Sequence, residues 1–125
     1  VNTNTNASST GTTNTTSNTN TSISATGSCG FPMSTFNYDE AKKSIRTKEF
    51  EDTKMTVAKQ VADNNCLSAD QIKGIMALFT HESTKLGFAK YCYDKCYDKN
   101  NYYKINDAFE FSSSTDELNE YIKSR

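Results

Sequence analysis

Glu51-Asp52-Thr53-Lys54-Met55-Thr56-Val57-Ala58-Lys59 lines up with Glu82-Ser83-Thr84-Lys85-Leu86-Gly87-Phe88-Ala89-Lys90 at a spacing of 31 residues. Both read E-x-T-K-h-x-h-A-K, where h is apolar. One residue further on in register, Ala77-x-Phe79 matches Phe109-x-Phe111, and Leu86 with Ala89 matches Leu118 with Tyr121. A period between 20 and 50 residues is the mark of stacked helical hairpins, in which each unit covers the apolar face of the next. At about 100° per residue, Phe88, Cys92, Cys96, Ala89, Tyr93, Leu86 and Tyr97 occupy an arc of about 180°. Val57, Phe50, Val61, Ala58, Ala62 and Met55 occupy about 160° on the equivalent earlier helix. Arcs this wide imply neighbours on two sides. The expected fold is all-α, with five to six short helices stacked as a small superhelix. On that wheel Gly87 falls on the open side, beside Tyr91 and Asp94.

Outward from this pair, capping chemistry sets the remaining boundaries. Asn37 followed by Glu40 places a helix near 38–46, and the first E-x-T-K helix covers about 48–64, ending at Asn64-Asn65. Ser68-Ala69-Asp70-Gln71 is a capping box, with Leu67 and Ile72 as its hydrophobic staple, and opens a helix near 69–79. The next helix runs over about 82–97, and a short one begins near Asn101. Ser114-Thr115-Asp116-Glu117 reads as a second capping box. Strand signals are absent, and after Phe36 the only glycines are Gly74 and Gly87.

The first 28 residues differ in kind. Thr, Ser and Asn fill 22 of these positions, and no charge precedes Asp39. So little apolar surface does not offset the ~1–2 kcal/mol per residue that ordering a backbone costs. Residues 1–28 are therefore expected to be a disordered linker, with sequons at Asn6, Asn14 and Asn20, and residues 29–125 a single helical domain. The chain opens on Val1 without a signal-peptide pattern and reads as a mature or truncated form. A formal net charge of −1 gives no electrostatic footprint for nucleic acid. No apolar run reaches the ~20 residues of a membrane span.

Several series of residues together resemble one family. They are Cys29-x-x-Pro32-Met33; Ala41-Lys42 with Ile45; Asn65-Cys66-Leu67; Gln71-Ile72-Lys73; Ile75-Met76-x-Leu78-Phe79; Glu82-x-Thr84-Lys85-Leu86-x-Phe88-Ala89-Lys90-Tyr91; and Asn106-Asp107-Ala108-Phe109-x-Phe111. In order and spacing this is similar to the domain of unknown function 4476 family, over about residues 29–125. The resemblance implies a C-terminal domain of exported proteins, found mainly in Bacteroidetes, and it brings no catalytic residues. The family pattern departs at Cys92 and Cys96, where Ala and Thr are commoner. Export favours at least one disulfide among four cysteines. The family-like motifs around Cys29 and Cys66, both outside helix interiors, make these the expected pair. Cys92 and Cys96, four apart on one helix, read as buried thiols, with a local or intermolecular disulfide or a soft-metal site as alternatives.

Chemistry-bearing residues are few. His81 has no activated cysteine beside it. Asp98-Lys99-Asn100-Asn101-Tyr102-Tyr103 begins like a calcium loop, but Tyr103 stands where glycine belongs and Phe109 where a bidentate glutamate belongs, so a capping turn is expected. Tyr91, Tyr102 and Tyr103 are the candidate interaction surface, since Tyr93 and Tyr97 point to the expected core. The function expected is a non-catalytic interaction or structural module of an exported, periplasmic or surface-attached protein, with a protein partner. No cofactor, metal or nucleic acid is expected. The alternative is a ligand-binding or hydrolytic domain acting on envelope carbohydrate or peptide, with Glu82, Asp98 and Asp107 as its only plausible carboxylate set.

Overall fold

The computed structural model describes residues 29–125; the expected linker and its sequons lie outside them. Five α-helices and one 3-10 segment follow in order: α1 Thr35–Arg46, α2 Glu51–Asn64, α3 Ala69–Met76, α4 Glu82–Tyr93, the 3-10 segment Lys99–Ala108, and α5 Ser112–Lys123. No strand occurs among the described residues, and the fold is all-α.

α4 lies between α2 and α5 and also touches α3 and the 3-10 segment, while α3 packs on the 3-10 segment and α1 on α2. This central position explains why Phe88, Ala89 and Cys92 of α4 are buried. The core continues through Ile72, Ile75 and Met76 of α3, Ile105, Leu118 and Ile45. Phe79 meets Phe88 edge-on, with ring centroids 5.6 Å apart.

The E-x-T-K copies make the same contacts at both places. The Glu51 carboxylate accepts from the backbone amides of Thr80 and His81, the turn that starts α4. The Glu82 carboxylate, 31 residues on, accepts from the amides of Glu110 and Phe111, the turn that starts α5. Lys54 donates to the Leu78 carbonyl and Lys85 to the Ala108 carbonyl. Each E-x-T-K helix thus satisfies backbone groups in the turn that leads into the helix packed beside it, α4 for α2 and α5 for α4.

The Ser68–Gln71 capping box forms, with Leu67 and Ile72 both buried. The Gln71 side-chain amide also donates to the Met33 carbonyl at 2.8 Å, tying the segment before α1 to α3. Other boundaries differ from the sequence reading. α1 begins three residues early because Ser34, not Asn37, is its cap, its hydroxyl accepting from the Asn37 amide. α2 begins at Glu51 rather than near residue 48, so Phe50 is its N-cap and is 71 % exposed instead of inward. α4 stops at Tyr93, since Cys96 pairs with Leu67 in an isolated parallel bridge and the Tyr97 amide donates to the Leu67 carbonyl. That departure carries Tyr97 to the surface rather than into the core. α5 starts at Ser112, and the Ser114 hydroxyl donates to Glu82 at 2.6 Å, so the second capping box does not form.

Both helical glycines mark close approaches. A Cβ on Gly74 would overlap the Tyr38 hydroxyl, which donates to the Gln71 carbonyl. Gly87 is not on an open side: its Cβ position lies 3.2 Å from Met55 Cε of α2.

Candidate binding cleft and exposed aromatic row

The turn after α4 is organised by Asp98. Its carboxylate accepts from the Ala69 amide at 2.7 Å and from the Asn101 side chain at 2.9 Å. It therefore acts as a capping turn that reaches across to the start of α3. Burial pushes the Asp98 carboxyl up, but these donors outweigh it and hold the group below its ordinary value.

From this turn the chain winds as 3-10 helix, with three residues per turn, so residues i, i+3 and i+6 share a face. Tyr102 and Ile105 take the inner face. Tyr102 is 3 % exposed, stands edge-on to Tyr93 at 5.1 Å, and donates its hydroxyl to the Ala89 carbonyl at 2.5 Å. Desolvation drives the Tyr102 hydroxyl pKa far upward. Asn100, Tyr103 and Asn106 share the outer face, opposite Thr115, Asp116 and Asn119 of α5. Between them lies a cleft of about 470 Å³, floored by Tyr102, Leu118 and Ile122. Lys99 sits at its edge, 5.3 Å from the Tyr93 ring centroid.

The three candidate tyrosines do not form one surface. Tyr102 is core, because the inner face of the 3-10 segment needs an apolar body. Tyr91 lies on the seam of α2 and α4, its hydroxyl donating to Asp63 at 2.5 Å and its ring flanked by Lys59 and Lys95. The Asp63 bond raises the Tyr91 hydroxyl pKa. Only Tyr103, 67 % exposed, faces solvent freely. The period-3 pattern from Asn100 to Asn106 was the signal available for the cleft, and a reading tuned to α-helical spacing passes over it.

The three carboxylates of the rival catalytic set stay apart in their duties. Glu82 holds the turn before α5, Asp98 holds the start of α3, and Asp107 pairs with Lys73 at 3.6 Å. Burial raises the Glu82 carboxyl, and the Ser114 hydroxyl and the two backbone amides outweigh it, leaving it below the ordinary carboxylate value. Glu51 is lowered in the same way, with burial opposed by the His81 and Thr80 amides. His81 is the exposed N-cap of α4.

That N-cap position is notable on its neighbours as well. Phe50, His81 and Phe111 cap α2, α4 and α5, and none makes a side-chain capping bond. Serine, threonine, aspartate or asparagine is strongly preferred there. The donors at the latter two turns are met instead by Glu51 of α2 and Glu82 of α4, each from the helix packed alongside. The N-cap side chains are thereby released to solvent, Phe111 at 59 % exposure.

Cys29 and Cys66 form a disulfide, with Cα atoms 5.7 Å apart, and the Met33 amide donates to the Cys66 carbonyl beside it. Cys92 and Cys96 are buried free thiols. Desolvation pushes both pKa values up, Cys96 to about 12, so neither carries thiolate character at neutral pH. Among the described residues no three His, Cys, Asp or Glu side chains gather as a metal cluster, and no helix is long and apolar enough to cross a membrane.

Searches of the curated proteins and of the solved structures return no match to this chain. A family profile described as Domain of unknown function (DUF4476) matches residues 32–122, which covers every helix from α1 to nearly the end of α5. With most of its length matched, and every buried core residue from Ile45 to Leu118 inside the match, the chain belongs to the DUF4476 family.

Proposed function

We propose that residues 29–125 form a non-catalytic interaction module of an exported cell-envelope protein. The observation that carries this reading is the row of N-cap rings, Phe50, His81 and Phe111, one at the head of each of three neighbouring helices. Adjacent packed helices lie ~8–10 Å apart, so the rings would repeat at about that interval. Exposed large aromatics at positions that ordinarily favour small polar residues are anchors for a protein partner. The Cys29–Cys66 disulfide supports an oxidising compartment. The engagement of Glu82, Asp98 and Asp107 in holding turns and an ion pair supports the absence of catalysis.

The test compares wild type with a Phe50→Ala/Phe111→Ala variant in chemical cross-linking to envelope proteins, alongside thermal melts. The reading requires the variant to lose a specific cross-linked partner at unchanged melting temperature. Equal cross-linking by both proteins would refute the row, and release of product from envelope glycan or peptide by the purified domain would refute the non-catalytic half. A second reading, binding of a small envelope ligand, is favoured by the cleft beside the 3-10 segment.

A further inference from the structure

We infer that the cleft between the 3-10 segment and α5 is a binding site for a neutral saccharide of one or two rings. The inference rests on the ligand-binding reading and is independent of the N-cap row.

The backbone builds the wall. A run of 3-10 helix longer than three or four residues is uncommon, and this one spans ten, Lys99–Ala108. Three residues per turn put Asn100, Tyr103 and Asn106 in one line along the cleft. In an α-helix, at 100° per residue, the same three would spread over about 120° and only one or two would reach it.

The groups in the cleft are unengaged. Hydrogen bonds at this end of the molecule run through Asp98, Asn101, Tyr102 and Glu82. They leave the side chains of Asn100, Asn106, Asn119 and Asp116 without a hydrogen-bond partner among the described residues. Carboxamides offer donor and acceptor together, and a carboxylate offers two acceptors. Adjacent sugar hydroxyls, each both donor and acceptor, match that mixture. Tyr103 adds a flat face, 67 % exposed, on which the C–H side of a pyranose ring can lie. Tyr102, Leu118 and Ile122 supply an apolar floor.

Charge narrows the class. The lining carries one cation, Lys99, and one anion, Asp116, so it has no surplus positive charge for phosphate or uronate. The Lys99 ammonium is also held over the Tyr93 ring. A volume of about 470 Å³ lies in the lower part of the range for small-molecule sites and has room for one or two sugar rings.

The experiment is a titration of the whole oxidised chain, followed by backbone amide NMR shifts. The probes are maltose, cellobiose and N,N′-diacetylchitobiose, with glucose 6-phosphate as the charged comparator, each to roughly 20 mM, enough to saturate a Kd near 1 mM. At least one neutral disaccharide is expected to give saturable shifts confined to residues 99–108 and 112–123. Tyr103→Ala and Asn119→Ala should each weaken that binding about five- to tenfold, the loss expected for one stacking or hydrogen-bonding contact, while shifts elsewhere stay at wild-type positions. Tyr91→Phe should leave the affinity unchanged. The proposal is overturned if none of the neutral probes gives saturable shifts there, if glucose 6-phosphate binds equally well, or if Tyr103→Ala and Asn119→Ala bind like wild type. Any of these results leaves the cross-linking test of the N-cap row untouched.

Discussion

Replacing Cys29 and Cys66 with serine cuts the tie between the segment entering α1 and the loop entering α3. The two cysteines are 37 residues apart, and closing a loop of that size removes chain entropy worth about 3.8 kcal/mol at 25 °C from the unfolded state. A domain of this size has a total stability of about 5–10 kcal/mol. At roughly 4–8 °C per kcal/mol, the melting temperature should fall by about 15–30 °C. The folded state should change little, because the Met33–Cys66 backbone bond and the Gln71 bond to Met33 hold the same segment without sulfur. Urea unfolding followed by circular dichroism measures the difference. The m-value should be larger in the variant, whose unfolded chain is no longer cross-linked and exposes more surface. A thiol titration of the denatured, oxidised wild type should count two reactive groups, Cys92 and Cys96. A stability difference below about 1 kcal/mol, or a count of four thiols, would refute the reasoning.

Glu82→Ala removes the acceptor for the Glu110 and Phe111 amides and the Ser114 hydroxyl, and should cost about 1–3 kcal/mol in chemical denaturation; Glu49→Ala, an exposed control, should stay within about 0.5 kcal/mol. The folded pKa values of Glu51, Glu82 and Asp98 lie below their unfolded ones. Their contribution is therefore complete above the unfolded values near 4 and is lost as pH falls through the folded ones, so melting temperature should drop below about pH 4.5, less steeply in Glu82→Gln. Gly74→Ala should destabilise by about 1–3 kcal/mol despite alanine's better helix propensity, and Tyr38→Phe should recover part of that loss by removing the hydroxyl that blocks the new methyl. Tyr102→Phe should cost about 1–2 kcal/mol through its buried bond to Ala89, whereas Tyr103→Phe should leave thermal stability unchanged.

The capping box at Ser68 was legible because both partners are local, three residues apart, and depend on nothing else in the fold. The box expected at Ser114 failed for the opposite reason. A glutamate 32 residues earlier in the chain competes for that hydroxyl and wins, since it also meets two orphaned backbone amides. The helical wheel places Phe50 inward, and the spacing alone assigns no side to Phe111. The structure exposes both, because they sit at N-caps, outside the helical arc on which the wheel reasoning depends. The cleft escapes an α-helical reading because its wall, Asn100, Tyr103 and Asn106, repeats every three residues, and that line acquires a meaning only once Lys99–Ala108 winds as 3-10 helix opposite α5.

By itself the sequence determined the all-α class, the polar first 28 residues and the 31-residue register of the E-x-T-K segments, while the pairing of Cys29 with Cys66 was implied by the family resemblance. The first three follow from periodicity, composition and recurring motifs, each readable one segment at a time. Tertiary structure alone decided that Glu51 and Glu82 cap the following turns rather than their own helices. It also turned Tyr102 inward and Tyr103 outward, and set Asn106 across from Asn119. Those outcomes depend on which unsatisfied backbone groups and apolar faces meet when distant segments pack, and spacing along one chain carries no record of that competition.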